Sequence, residues 1–181
     1  EKCMKTKNLV LMALLVGIGT VLYLVMPPIP IGGGIKPDMM LTMMFVGIIL
    51  FPSIRDTFIL TVVTGVLSGL FSSIPGSLIP NLIDKVVTGF VFLAVLYLVN
   101  KFSKNVVVYA ILIGLGTLLS GTVFLSMLLL LVGEMPAAFG IMFVTGVIPA
   151  TIANIVAFCI IYPILAGLLK RSKFETSVTQ A

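Results

Sequence analysis

Long apolar stretches, cut off one after another by proline, glycine or short runs of charge, dominate this chain and leave it little choice of solvent. Six are read along the sequence, over about 8–26, 38–52, 57–73, 82–100, 105–132 and 137–168. A helix crossing the hydrocarbon core of a bilayer needs roughly 20 apolar residues. With no water inside the membrane, the backbone of each must satisfy its own hydrogen bonds. A water-soluble fold fails on charge: 9% of the residues are charged and 60% are hydrophobic, whereas soluble domains carry roughly 25% charged residues. Apolar runs continue to the C-terminal end, so a leader peptide does not account for them. The expected fold class is an all-α membrane protein, a compact bundle of six transmembrane helices forming one domain over residues 1–181. It is expected in the plasma membrane as a multi-pass protein. The second stretch is short, and the last two are long enough to tilt.

The distribution of lysine and arginine sets the expected orientation, because basic residues concentrate on the cytoplasmic side. With the N-terminus inside, the cytoplasmic segments hold Lys2, Lys5, Lys7, Arg55, Lys101, Lys104, Lys170, Arg171 and Lys173, nine of the eleven basic residues. The outer connections hold Lys36 and Lys85. Both termini are therefore expected in the cytoplasm (N-in, C-in). The net charge of +5 sits in clusters at helix ends, so anionic headgroups of the lipid bilayer, and not nucleic acid, are its expected partner.

Several chemistries are excluded by what is missing. The sequence has no histidine, which removes Ser-His triads and His-based zinc sites together. It has no Gly-x-x-x-x-Gly-Lys-Ser/Thr loop, so any use of ATP must come from other subunits. No cofactor is expected. Cys3 and Cys159 form no framework, and no disulfide is expected.

The two outer lysines each stand near an acid: Lys36 near Asp38, and Lys85 beside Asp84. The first outer connection opens with Pro27, Pro28 and Pro30 and continues through Gly32, Gly33 and Gly34, a composition that forbids helix. It is expected to act as a mobile lid, with Asp38 capping the second helix. In the second outer connection Asn81 is expected to cap the fourth helix, placing Asp84 and Lys85 in its first turn. There the helix dipole favours Asp84 and opposes Lys85. Glu134 lies in the third, a tight turn. In the sixth stretch Pro149 is expected to bend the helix. Asn154 falls near mid-membrane, where an amide must face the bundle interior. Tyr23, Met39, Met40, Met43, Phe71, Phe90, Phe139 and Phe143 lie near the outer end and are candidates to wall an apolar pocket. All six acids are read as lying at helix ends or in connections.

Small residues four apart permit close helix approach. They occur as Ala13 and Gly17 in the first stretch, Gly65 and Gly69 in the third, and Gly116 with Ser120 and Gly121 in the fifth. Together with the six-span pattern, Ala13-Leu14-Leu15-Val16-Gly17 resembles the first-helix motif of the S components of energy-coupling factor (ECF) transporters. Those are small six-helix membrane proteins with cytoplasmic ends, whose motif is often Ala-x-x-x-Ala. Here glycine stands in the second place.

One branch is resembled more closely, the TrpP family of tryptophan transport proteins. The resemblance is carried by Met4-Lys5-Thr6-Lys7, by Gly33-Gly34-Ile35-Lys36-Pro37-Asp38-Met39-Met40-Leu41 and by Ile79-Pro80-Asn81-Leu82-Ile83-Asp84-Lys85. It continues in Leu119-Ser120-Gly121-Thr122-Val123-Phe124-Leu125-Ser126 and Ile161-Tyr162-Pro163, and runs over nearly the whole chain. It implies a single S-component domain that binds L-tryptophan and works with a transmembrane ECF coupling subunit and two cytoplasmic ATPase subunits. In this picture Ala13 and Gly17 dock on the coupling subunit, and the S component topples within the membrane during transport.

An amino-acid zwitterion needs a cation and an acceptor, and an indole needs an apolar pocket with one acceptor for its N–H. Lys36 or Lys85 is expected to meet the carboxylate, Asp84 or Asp38 the ammonium, and Asn81 or Asn154 the indole N–H, with Phe143 among the apolar wall residues. The rival readings are an S component for another small nutrient such as a vitamin, a stand-alone secondary transporter, an intramembrane enzyme and a structural membrane protein. The enzyme is disfavoured by the absence of histidine and of Gly-x-Ser-x-Gly. The secondary transporter is disfavoured by the absence of an intramembrane carboxylate and of a convincing repeat.

Overall fold

The computed structural model describes residues 6–27, 36–102, 105–133 and 137–171. Within them every regular element is helical. The helices are α1 (Thr6–Val25), α2 (Met39–Leu50), α3 (Ile54–Phe71), α4 (Leu78–Val99), α5 (Val106–Leu131), α6 (Phe139–Met142) and α7 (Ile148–Arg171). A five-residue π-helical stretch, Phe143–Val147, joins α6 to α7 without a break.

Five of these units are long and apolar enough to cross a membrane: Asn8–Val25, Ile54–Phe71, Leu78–Val99, Val106–Leu131 and Phe139–Leu169. The second expected span is the exception. At 12 residues, α2 is about 18 Å long, short of a hydrocarbon core of roughly 30 Å. All twelve of its residues are buried. A helix that is apolar all round belongs inside the protein, so α2 is the axis around which the other helices pack. Phe45 of α2 stacks on Phe92 of α4, ring centroids 4.2 Å apart. The other helices turn Leu14, Val63, Leu115, Ile152 and Ile160, among others, outward. Exposed apolar surface on that scale, on helices long enough to cross a bilayer, fits contact with lipid.

Helix starts follow local capping chemistry. Ser53 caps α3, its hydroxyl accepting from the Asp56 N–H at 3.1 Å, so α3 begins before the expected 57. Helix α4 also begins early, at Leu78, and takes Pro80 into its first turn. Proline is tolerated there because its missing N–H would have had no intrahelical acceptor. Asn81 is therefore not the cap: its N–H already donates to the Ser77 carbonyl at 2.9 Å. Asp84 and Lys85 move into the second turn and beyond, past the reach of the terminal dipole.

Two glycines let α3 and α4 meet backbone to backbone. A Cβ built on Gly69 would lie 2.6 Å from the Leu78 Cα, and one on Gly65 would lie 2.9 Å from the Leu82 Cα. Only hydrogen fits, so α3 and α4 run antiparallel in direct backbone contact. Near Pro149 the helix does not simply lose a bond. The Ile148 N–H donates to the Phe143 carbonyl, five residues back, so one π-type turn absorbs the irregularity.

Candidate functional site

The C-terminal ends of α1, α3 and α5 and the N-terminal ends of α2, α4 and α7 meet at one end of the bundle and enclose a cavity of about 100 Å³. A single water needs about 10–15 Å³ by the same measure, so the space suits a small organic molecule. The cavity is recessed: Lys85 stands seven residues into α4, roughly 10 Å along its axis.

One ionic cluster organises its wall. Lys85 Nζ lies 2.7 Å from Asp84 Oδ2 and 2.7 Å from Asp38 Oδ2. The Lys85 side chain is 3% exposed, that of Asp84 0% and that of Asp38 22%. Every atom of the Asp84 carboxylate is used. Oδ1 accepts from the Thr88 hydroxyl at 3.0 Å. Oδ2 accepts from Lys85 and from the Ser120 hydroxyl at 2.8 Å. Ser120 in turn lies 3.4 Å from Lys85 Nζ and accepts from it. Lys85 thus spends its three donors on Asp38, Asp84 and Ser120. Burying such charges is costly unless they are paired and hydrogen-bonded, and this network pairs them across α2, α4 and α5.

Asp38 serves two structures at once. Its Oδ1 caps α2 by accepting from the Leu41 N–H at 3.0 Å, as expected, while Oδ2 holds Lys85. It is the carboxylate of the pair that retains exposure to the cavity. Lys36 also lines the cavity, with Nζ 5.4 Å from the centre of the Tyr23 ring, a cation–π contact. Among the described residues no carboxylate lies within ion-pair distance of it. Deeper in the bundle Asn154 is fully buried and donates through Nδ2 to Thr117 Oγ1 at 3.4 Å. Among the described residues its Oδ1 has no hydrogen-bond partner.

Six of the residues singled out in the sequence therefore come together: Lys36, Asp38, Asn81, Asp84, Lys85 and Asn154 all line this cavity. Asn81 does so with its amide nitrogen donating to the Ser77 carbonyl at 2.9 Å. Phe143 does not line it. It stacks on Phe139 at 6.4 Å and packs beside Leu125 and Met142 in a satellite cluster. Met39, Met40 and Met43 belong to the buried α2, and of the expected apolar wall only Tyr23 faces the cavity. Glu134 and residues 28–35, most of the expected lid, lie outside the described residues. Ala13 and Gly17 are exposed on α1, far from the cluster in sequence, beside Val10, Leu14, Ile18 and Val21 in a shallow apolar groove.

Sequence reasoning missed Ser68, Thr117 and Phe124, which also line the cavity. A signal for two of them was present. Thr117, Ser120, Gly121 and Phe124 recur at helical spacing on α5, polar and small residues with one aromatic on one face of an otherwise mostly aliphatic helix. Asp84 also overturns one expectation: this carboxylate lies well inside a spanning helix, not at its end.

An apolar helical bundle with lipid-facing flanks and a recessed cavity that mixes fixed charges with apolar walls is a multi-pass membrane protein of the transport class. The chain matches the model of the family described as "Tryptophan transporter TrpP" over residues 5–170, and it belongs to that family. It is 46% identical over 171 residues to a "Probable tryptophan transport protein" of Bacillus subtilis (strain 168), covering 94% of this chain and 97% of that one. Relatives with the same description occur in Clostridium perfringens (34% identical, 92% of this chain and 95% of the relative) and Clostridium acetobutylicum (37%, 88% and 91%). No solved structure matches the chain. The protein is thus a multi-pass plasma-membrane transport protein and not an enzyme.

Proposed function

We propose that the whole chain is one substrate-binding unit that captures L-tryptophan in this cavity and acts as the S component of an ECF-type importer, with ATP used by two ATPase subunits through a transmembrane coupling subunit. The observation that carries the reading is the placement of Lys36 and Asp38 on one recessed cavity that also has apolar wall residues, among them Leu41, Phe124, Leu125 and Val147. A zwitterion needs one of each charge, and the cavity supplies both within three residues of chain.

The role assignments follow from which groups are already committed. Lys85 is saturated by Asp38, Asp84 and Ser120, so Lys36 meets the substrate carboxylate. Asp84 is fully buried with both oxygens already engaged by Lys85, Ser120 and Thr88, so Asp38, the more exposed of the two, meets the ammonium. Asp84 and Lys85 hold Asp38 in place. The N-in, C-in orientation turns the cavity outward. It leaves Ala13 and Gly17 on the lipid-exposed face of α1, where a Cβ on Gly17 would meet nothing within 4 Å. A partner helix fits closely against such a face.

A second reading has an observation in its favour. A buried carboxylate–lysine cluster inside a spanning segment is also how proton-coupled carriers are built, and Asp84 and Lys85 form one. Uptake of labelled L-tryptophan separates the two. Uptake that stops when the ATPases are removed, with the proton gradient intact, is expected. Uptake that persists without them and collapses with the gradient makes the chain a stand-alone carrier.

A further inference from the structure

We propose that Asn154 is the specificity-determining residue of the cavity: its side-chain oxygen accepts a hydrogen bond from the indole N–H and thereby separates tryptophan from aromatic side chains that lack a donor. The inference rests on the reading of the cavity as a tryptophan site and deepens it.

The orientation of the amide is fixed by its neighbours. The Thr117 hydroxyl donates its only proton to the Ile113 carbonyl at 2.8 Å. Toward Asn154 it can therefore only accept. The amide must present its NH2 to Thr117, at 3.4 Å, and this sends Oδ1 the other way. That oxygen is buried, on a residue with no exposure, and has no partner among the described residues. Five buried side-chain oxygens among the described residues lack a partner, and of these only Asn154 Oδ1 belongs to a residue that lines the cavity. Buried polar atoms are otherwise nearly always hydrogen-bonded, so a ligand donor has its place there.

The wall around it narrows the choice of ligand. Among the polar residues of the same cavity, the Thr117 and Ser120 hydroxyls have spent their protons on the Ile113 carbonyl and Asp84, while Gly121, Phe124, Leu125, Val147 and Ala150 offer an aromatic ring surface contact and no polar side-chain group. The ring that fits is apolar over its faces, carries one donor and needs no acceptor satisfied. Indole has that inventory, whereas a phenyl ring has no donor and a phenol adds an acceptor. Lys36 and Asp38 at the mouth select an amino acid, and Asn154 at depth selects which one.

A site built to hydrogen-bond a substrate group rejects the analogue lacking it, because the protein atom is then left unpaired. The comparison is L-tryptophan against 3-benzothienyl-L-alanine, which replaces the N–H by sulfur and keeps the shape. Affinities are measured by calorimetry on the purified full chain. The wild type is expected to prefer tryptophan by roughly 10- to 100-fold. Asn154→Leu is expected to bring the ratio close to one, mainly by weakening tryptophan. Thr117→Val, which removes the anchor of the amide, is expected to lower the ratio partway. It also supplies a variant should the leucine protein fail to fold. Equal binding of both ligands by the wild type overturns the role of Asn154 and leaves the tryptophan site standing. So does a preference that survives in Asn154→Leu. No binding of tryptophan at all overturns both.

Discussion

Replacing Lys85 with methionine tests whether this lysine is the keystone of the ionic cluster. The lysine sits 2.7 Å from each of two carboxylates, and methionine keeps most of its length without the charge. The change leaves Asp84, with no exposure, facing Asp38 across the space the ammonium held. Removing one partner of a buried ion pair costs about 3–5 kcal/mol, because the other charge stays buried and uncompensated. That corresponds to roughly two to three and a half powers of ten in the folding equilibrium. A second substitution isolates the cause. In Lys85→Met/Asp84→Asn the fully buried acid is neutral, and the remaining carboxylate, Asp38, keeps both its cap to Leu41 and its partial exposure. The double variant is therefore expected to regain at least half of the lost stability. Both are measured by thermal or denaturant unfolding in one detergent, as a double-mutant cycle with the Asp84→Asn single variant. Strictly additive losses would refute the charge argument. A Lys85→Met protein as stable as the wild type would refute the burial of the pair.

Two further outcomes follow from the geometry. Lys36→Ala is expected to weaken L-tryptophan binding by roughly 10- to 100-fold, the worth of a charge-assisted hydrogen bond. It should leave the binding of tryptamine, which has no carboxylate, nearly unchanged; equal losses for both would move the carboxylate elsewhere. Gly69→Ala forces a methyl to 2.6 Å from the Leu78 Cα and is expected to cost about 1–3 kcal/mol by overpacking. Gly17→Ala, with open space at its Cβ, should stay within about 0.5 kcal/mol of the wild type. Unfolding of the two side by side checks the contrast.

The membrane class and five of the spans were legible because lipid and apolar run length are directly linked. The second span was not, since an apolar run of twelve residues reads alike whether it faces lipid or protein. Only the packing of five neighbours around Met39–Leu50 decides it. The charged residues of the site were legible because a lysine and an acid together beside an apolar run need an explanation. Their division of labour was not. Which lysine is spent inside the protein depends on Asp38 and Ser120, at the start of α2 and on α5, and no spacing in the sequence reports those contacts. The cap expected at Asn81 fails for a local reason: the first turn accommodates Pro80, so the helix starts earlier, at Leu78. Phe143 was an aromatic residue at the right depth on the wrong face. The π-helical turn that contains it shifts the register, so that Val147, Ala150 and Asn154 face the cavity instead.

The central claim, that this cavity holds the indole of L-tryptophan, has a direct optical test. The sequence contains no tryptophan and four tyrosines, so excitation beyond the tyrosine band makes the ligand nearly the only emitter. The measurement is a titration of the purified chain with L-tryptophan in detergent. The account predicts a saturable, blue-shifted emission, reversed by an excess of a non-fluorescent tryptophan analogue, as the indole leaves water for the apolar wall between Phe124 and Ala150. Emission that stays at its value in water, from protein shown to be folded, would contradict it.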